Sequence, residues 1–482
     1  EIPYYVYEFF KKGIEDGNNY YSLSQTRSRS AAFFANATYS YKGRYTVNGT
    51  ARYEGTNRMG KSRSARWLPT WNVSGAWNAH EEKFFSNLTS VLSHFTLKAS
   101  YSLTADRGPA DVTNSQAIIT SYSPYRPFTS IQESGLYIKE LENSELTYEK
   151  KHELNIGADM GFLNNRINLA VDWYKRNNYD LIGIVNTQGA GGQILKYANI
   201  ASMKSHGIEF TLSTKNIKTK DFNWNTDFIF SNAKNEVTDL KQNANVMELI
   251  SGNGFAKQGY PVRGLFSIPF VGLDKDGIPV IINEKGEATS TDINFQERQN
   301  TGFLKYEGPT DPTITGSLGN MFSYKGFRLN LFITYSFGNV IRLNPVFKAY
   351  YSDLTAMTRE FKNRWTLPGD EAKTNVPAIL SKRMYDSNED LKYAYNAYNY
   401  STERIAKGDF IRLKEISLAY DFPKAWINPL KLTDLSLKVQ ATNLFLIYAD
   451  DKLNGQDPEF FNAGGVASPV PRQFTITLRL GL

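Results

Sequence analysis

Stretches of about ten residues in which apolar and polar side chains strictly alternate recur through this chain, and that period of two is the strongest constraint on its fold. In Phe95–Ala105, the residues Phe95, Leu97, Ala99, Tyr101 and Leu103 oppose Thr96, Lys98, Ser100, Ser102 and Thr104. In Arg44–Tyr53, the residues Tyr45, Val47, Gly49, Ala51 and Tyr53 oppose Thr46, Asn48, Thr50 and Arg52. Such a segment is a strand whose two faces meet different solvents. The pattern also marks Ala31–Tyr41, Trp67–Trp77, Glu153–Phe162, Arg166–Tyr174, Gly207–Thr214, Phe222–Phe230, Thr313–Phe322, Phe327–Phe337, Phe410–Phe422, Leu435–Phe445 and Phe474–Leu482. That predicts about thirteen strands. Weaker alternation in Ile2–Phe10 and Asn19–Thr26 could add one or two. A phase flip near Lys414-Glu415 predicts a β-bulge. No helix longer than a turn or two stands out, and the best candidate is 353–364.

Strands in soluble proteins average about five to six residues, whereas about nine to eleven cross a bilayer when tilted. Connection lengths alternate as well. Lys42-Gly43, Lys325-Gly326, Leu163-Asn164-Asn165 and Asn216–Asp221 are short. Long segments lie at about 106–146, 177–206, 234–310 and 338–408. Short turns facing the periplasm and long loops facing outward are the layout of an up-and-down outer-membrane β-barrel. Aromatic residues make up 14% of the chain, beside many Asn, Ser and Thr, as such a wall requires. Trp67, Trp77, Trp173 and Trp224 are expected in interfacial girdles.

Other classes are excluded or disfavoured. The 482 residues contain no cysteine, so disulfides, thiolate metal sites and cysteine nucleophiles are absent. Lys plus Arg total 55 against 48 Asp plus Glu, a net charge of +7 with no basic run, which does not suggest nucleic acid. No apolar run reaches the ~18 residues of a transmembrane helix. The first residues, Glu1-Ile2-Pro3-Tyr4-Tyr5, lack the features of a signal peptide, so a mature form or fragment is expected.

Several motifs, in order, resemble the C-terminal barrel portion of SusC/RagA-type TonB-dependent transporters. Tyr41-Lys42-Gly43-Arg44-Tyr45 with Arg52-Tyr53-Glu54-Gly55 resembles the family's Y-K-x-R-Y…R-x-D-G hairpin. Leu97–Thr104 resembles L-R-A-S-Y-G-x-T, and Lys204–Glu209 resembles N-K-G-V-E. Gly408–Lys414 resembles G-D-Y-L-R-L-K, followed by Asn443-Leu444-Phe445, Asp457-Pro458-Glu459 and Pro471-Arg472. The resemblance implies an all-β, 22-stranded barrel around an N-terminal plug, of which this chain is expected to be roughly the C-terminal half. It implies TonB-energised outer-membrane import of oligosaccharides or peptides, a SusD-like surface lipoprotein as lid, and TonB acting through a plug region outside this chain. Further expected partners are the N-terminal plug and barrel half, outer-membrane lipid, and a second copy in a dimer of transporter–lid pairs. The competing class is a passive porin or surface adhesin.

Candidate chemistry is sparse, and no enzyme activity, cofactor or metal is expected. Asp274-Lys275-Asp276-Gly277 resembles the start of a calcium loop but has Lys285 where the required Glu would fall, so a hairpin turn is the better reading. Glu236, Asp239 and Glu248 are loop carboxylates without a motif. Gly189–Gly192 lacks the surroundings of a phosphate loop. For substrate or lid contact the candidates are Tyr393, Tyr395, Tyr398 and Tyr400, with Asn396 and Asn399 beside them, and secondly Tyr122, Tyr125 and Arg126. Aromatic faces with amide and hydroxyl donors suit sugar rings or peptide backbones, with glycans the slight preference; packing of the loop on itself is the plainer alternative.

Overall fold

The computed structural model describes residues 4–15, 28–108, 117–122, 134–186, 195–351, 358–461 and 471–481. Thirteen strands form one sheet, and each pairs antiparallel with the next along the chain. They are β1 (Ser30–Tyr41), β2 (Tyr45–Thr56), β3 (Trp67–Asn78), β4 (Leu92–Asp106), β5 (Glu149–Phe162), β6 (Ile167–Asn186), β7 (Leu195–Lys218) and β8 (Phe222–Leu240). The sheet continues with β9 (Ile314–Tyr324), β10 (Phe327–Phe337), β11 (Phe410–Asp421), β12 (Asp434–Ala449) and β13 (Gln473–Gly481). All thirteen segments expected from alternation are in it.

The register carries one apolar face from edge to edge. Tyr39 pairs with Val47, Val47 with Gly75, Gly75 with Ala99, and Ala99 with Ile156. Farther on, Phe210 pairs with Phe230, Leu318 with Ile333, Leu418 with Val439, and Val439 with Ile476. The opposite face carries Asn48, Lys98, Asp227, Arg328, Lys438 and Arg479. There Lys98 pairs with Asp159, and Arg176 with Glu153. A one-residue slip would exchange the faces, so the two-solvent pattern itself fixes the register. The shift comes at Lys414: Ile333 faces Leu413 while Phe332 faces Glu415, so one residue bulges and the apolar set stays on its side.

Aromatic side chains mark both ends of the apolar face. At the loop end Trp71 meets Tyr101 edge-to-face, and Tyr101, His152 and Tyr179 stack in succession, at 5.4 to 5.7 Å between rings. At the turn end Phe327 lies 4.4 Å from Tyr420, and Trp224 5.6 Å from Phe322. This double girdle is the interfacial signature of a membrane β-barrel.

The short turns follow from backbone chemistry. Lys42-Gly43 and Lys325-Gly326 hold positive φ at both central positions, the type I′ geometry whose twist matches the flanking strands.

Three expectations are corrected. Residues 177–206 are not simply a loop: β6 runs to Asn186 and β7 begins at Leu195, so these strands reach 20 and 24 residues and rise well beyond a bilayer's thickness. Of Ile2–Phe10, the described residues 4–10 form no strand; Tyr4–Glu15 is a 12-residue helix, a period that a short, aromatic-rich run disguises. In 353–364, the described part is the short 3₁₀ turn Arg359–Asn363. Asn19–Thr26 lies outside the described residues.

Among the described residues β1 and β13 do not pair with each other. The sheet's thirteen described strands therefore form an open wall, whose two edges run in the same direction because their number is odd.

Candidate functional site

The long connections at the loop end of the wall fold together. Segment 241–313 supplies the helix Val246–Ile250 and short strands at Gly264–Ser267, Phe270–Leu273, Pro279–Ile282 and Lys305–Pro309. Segment 338–409 supplies the helix Leu391–Asn399 and the paired strands Val340–Arg342 and Ile405–Lys407. Two apolar cores join them. Ile278 packs with Phe347, Leu380 and Tyr398, and Ala397 packs with Val246, Ile250 and Phe266. Backbone bonds sew the same seam: Ile268 donates to the Tyr400 carbonyl at 3.0 Å, and Thr402 donates back to Ile268 at 3.0 Å.

Arg342 locks this two-loop body. Its guanidinium is buried and donates to the carbonyls of Ile250 (3.1 Å), Ser401 (3.0 Å) and Phe266 (2.5 Å), and to Ser267 Oγ (3.0 Å). Burial pulls its pKa down to about 9, so the group remains charged at neutral pH. A fork of fixed donors reaches three chain segments at once, which a lysine could not do.

The tyrosine cluster needs a correction. Tyr395 and Tyr398 are each 2% exposed and belong to the core of the body, so neither presents a face to a ligand or lid. Tyr395 donates to the Ala378 carbonyl at 2.7 Å, and burial pushes its pKa up. The helix Leu391–Asn399 turns one side inward, taking Ala394, Tyr395, Ala397, Tyr398 and Asn399 with it. A period of 3.6 therefore sorts the cluster. Tyr393 falls on the outer side and is exposed, and Tyr400 is half-buried beneath Arg342. Asn396 is exposed, whereas Asn399 ties itself to the backbone of Phe347. Tyr122 is exposed on the hairpin of Ile118–Tyr122 and Gly135–Glu140. Tyr125 and Arg126 lie outside the described residues.

Of the carboxylates expected in loops, Glu236 and Asp239 lie instead in the rising end of β8, and Asp274, Glu236 and Glu248 have structural partners. Asp274 Oδ1 accepts from the backbone N–H of Asp276 and Ile278, closing a hairpin turn. Glu236 pairs with Lys204, and Glu248 caps its own helix with Asn245. Gly189–Gly192 lies outside the described residues.

Residues outside the candidate chemistry carry much of the architecture. Arg412, on the polar face of β11, forms an ion pair with Asp457 in the segment after β12, and Glu459 lies 3.3 Å from the same guanidinium. Both partners stand in quoted motifs, so the signal was present as two separate fragments. Gly408 of the same motif lies against Asn339, where a Cβ would overlap the side-chain amide. For Arg342 no pattern in the sequence gave notice.

Residues 4–444 match the family described as TonB dependent receptor-like, beta-barrel. TonB-dependent receptor P3 of Formosa agariphila is 25% identical over 446 residues, covering 88% of this chain and 41% of the relative. TonB-dependent receptor SusC of Bacteroides thetaiotaomicron is 26% identical over 515 residues, covering 98% and 47%. Among solved structures, the RagAB peptide transporter superposes with a TM-score of 0.74 at 23% identity, over 94% of this chain and 48% of that one. The chain thus spans about half the length of the relatives it matches. Family members are outer-membrane β-barrels of Gram-negative bacteria and are transporters, not enzymes. With its two-faced wall, double aromatic girdle and ordered motifs, this chain belongs to the TonB dependent receptor-like β-barrel family as a SusC/RagA-type member.

Proposed function

We propose that the chain forms the C-terminal part of the wall and outer mouth of an importer for oligomeric nutrients, energised by TonB and covered by a SusD-like lipoprotein. The wall separates lipid from an aqueous lumen, and the missing strands and plug come from the rest of the protein. The long segments near 106–146, 234–310 and 338–408 face outside, together with the rising ends of β6, β7 and β8. The two-loop body is the docking ground for the lid, and Tyr393 and Tyr122 are its exposed aromatic contacts.

One observation carries this reading: loops of this length have joined in a body with its own apolar core. A passive pore needs no such body, and a core of this kind holds a surface in fixed shape for a partner. The burial of Tyr395 and Tyr398 removes the tyrosine argument for glycans over peptides.

Uptake of labelled oligosaccharide and oligopeptide pools by cells carrying the full transporter tests the reading. Accumulation should stop when TonB is deleted or the inner-membrane proton gradient is collapsed. Uptake that persists unchanged under both conditions would favour a passive porin, and no uptake with retained surface adhesion would favour an adhesin.

A further inference from the structure

A cavity of about 300 Å³ opens between the two-loop body and the segment that follows β12. Arg404, Thr358, Gln456 and Lys452 are among its lining residues. Its position is fixed by the wall: Gln456 adjoins Asp457, which Arg412 holds from the polar face of β11. The cavity therefore stands on the lumenal side of the outer mouth, with the exposed Lys452 and Asn454 at its rim.

Three polar atoms here have no hydrogen-bond partner among the described residues: Arg404 Nε, Thr358 Oγ1 and Gln456 Oε1. Arg404 is only 3% exposed. Both ends of its guanidinium are used, since Nη1 pairs with Glu360 and Nη2 donates to the Asn344 carbonyl at 3.4 Å, and the group lies 4.8 Å over the Phe347 ring, which leaves Nε–H alone for a ligand. Glu360 also accepts from Asn454 at 3.2 Å. The Thr358 hydroxyl is free because the short turn it precedes takes no side-chain cap. A buried donor or acceptor left unmade is costly, and three around one void are an unfilled coordination set. Three cations, Arg359, Arg404 and Lys452, line the cavity with one carboxylate, Glu360, so charge favours an anion. The volume sits at the small end of ligand sites and suits one unit of an oligomer rather than its whole length.

We propose that this cavity binds the carboxylate of an acidic unit in the transported oligomer, a reading that rests on the import function above. Arg404 Nε–H and the Thr358 hydroxyl donate to the carboxylate, Lys452 adds charge at the rim, and Gln456 Oε1 accepts from a neighbouring hydroxyl or amide of the ligand. A uronic acid and an acidic peptide side chain share that chemistry.

Calorimetric titration of the full-length transporter decides the matter, with trigalacturonate against galactotriose, and N-acetyl-Ala-Glu-Ala-amide against its Gln counterpart. The carboxylate member of at least one pair should bind at least tenfold more tightly. The pair that shows the preference names the source, sugar or peptide. Arg404→Gln should abolish the preference but also strands Glu360, so Thr358→Val carries the decision. It should cut the preference about tenfold, the size of one charge-assisted hydrogen bond, with thermal unfolding unchanged. Equal affinity within both pairs, or a preference untouched by Thr358→Val, would overturn the assignment. So would density from the chain's own residues 352–357 or 462–470 filling the cavity. These results leave import standing if TonB-dependent uptake of neutral oligomers continues; loss of all such uptake would instead sink the import reading.

Discussion

Arg412 Nη2 lies 2.6 Å and 2.7 Å from the two carboxylate oxygens of Asp457, with both side chains almost wholly removed from solvent. The pair ties a wall strand to the segment beyond β12, across 45 residues of chain. Losing Asp457 leaves the buried guanidinium with only the partly exposed Glu459, 3.3 Å away; a fully orphaned buried charge costs about 3–5 kcal/mol, which is the upper bound here, whereas replacing both ends with apolar groups of similar size costs far less. Asp457→Ala should therefore lower the unfolding temperature of the assembled barrel markedly, and Arg412→Met/Asp457→Leu should recover most of the loss. Equal losses in the single and double variants would show that the pair is not the clasp described.

The wall predicts opposite outcomes for neighbouring residues. Phe228 sits on the apolar face near the middle of its span, while Asp227 points the other way and accepts a hydrogen bond from Ser213 at 2.6 Å. Phe228→Arg should cost about 2–4 kcal/mol in a refolding titration into lipid, and Asp227→Arg under about 1 kcal/mol. Similar costs at the two positions would remove the lipid–lumen assignment.

The two-loop body should depend on Arg342 more than on any exposed contact. Arg342→Lys leaves several carbonyls without their donor, and the body should become accessible to protease while the wall remains heat-resistant. Deleting 386–402, which looks harmless from the strand pattern because no wall strand is cut, should have the same effect, since it removes Ala394, Tyr395, Ala397 and Tyr398 from the core. Tyr393→Ala is the cleaner probe of partner contact: the body should stay protease-resistant while lid affinity falls severalfold. Unaltered lid affinity would exclude Tyr393 from the contact.

Asp370 gives its own turn, residues 366–370, an acid limit. Its carboxylate accepts from the Leu367 backbone N–H and from the hydroxyl and N–H of Thr366, which hold its pKa down at about 2. A depressed carboxylate contributes its stability above the unfolded value of about 4 and loses it as pH falls through the folded one. Pepsin cleavage near Trp365 and Leu367 should be slow at pH 4 and should accelerate towards pH 2. In Asp370→Asn it should be fast throughout. Equal rates for the two proteins at pH 4 would contradict this role.

The wall was legible because alternation is a local signal. A strand between lipid and water must repeat every two residues, so Phe95–Ala105 and Phe327–Phe337 declare themselves without neighbours. The loop body was not legible, because its pairings are distant: Ile278 meets Phe347, and Arg342 meets Ile250, with nothing in the intervening chain to announce either. The tyrosines show the limit most clearly. Their spacing looked like one cluster, but a helical turn placed Tyr395 and Tyr398 inside and Tyr393 outside. The extra height of β6 and β7 leaves no such signal, because above the membrane both faces of a strand meet water or protein, and alternation fades.

Membrane-impermeant maleimide labelling of single cysteines in intact cells tests the central claim most directly, made in the full-length transporter with any native cysteines removed. Labelling is expected at Tyr393→Cys and Lys275→Cys in the two-loop body, and none at Lys325→Cys or Asn164→Cys in the short turns until the outer membrane is breached. Labelling of the turns in intact cells, with the body protected, would contradict the orientation of the wall and the import reading built on it.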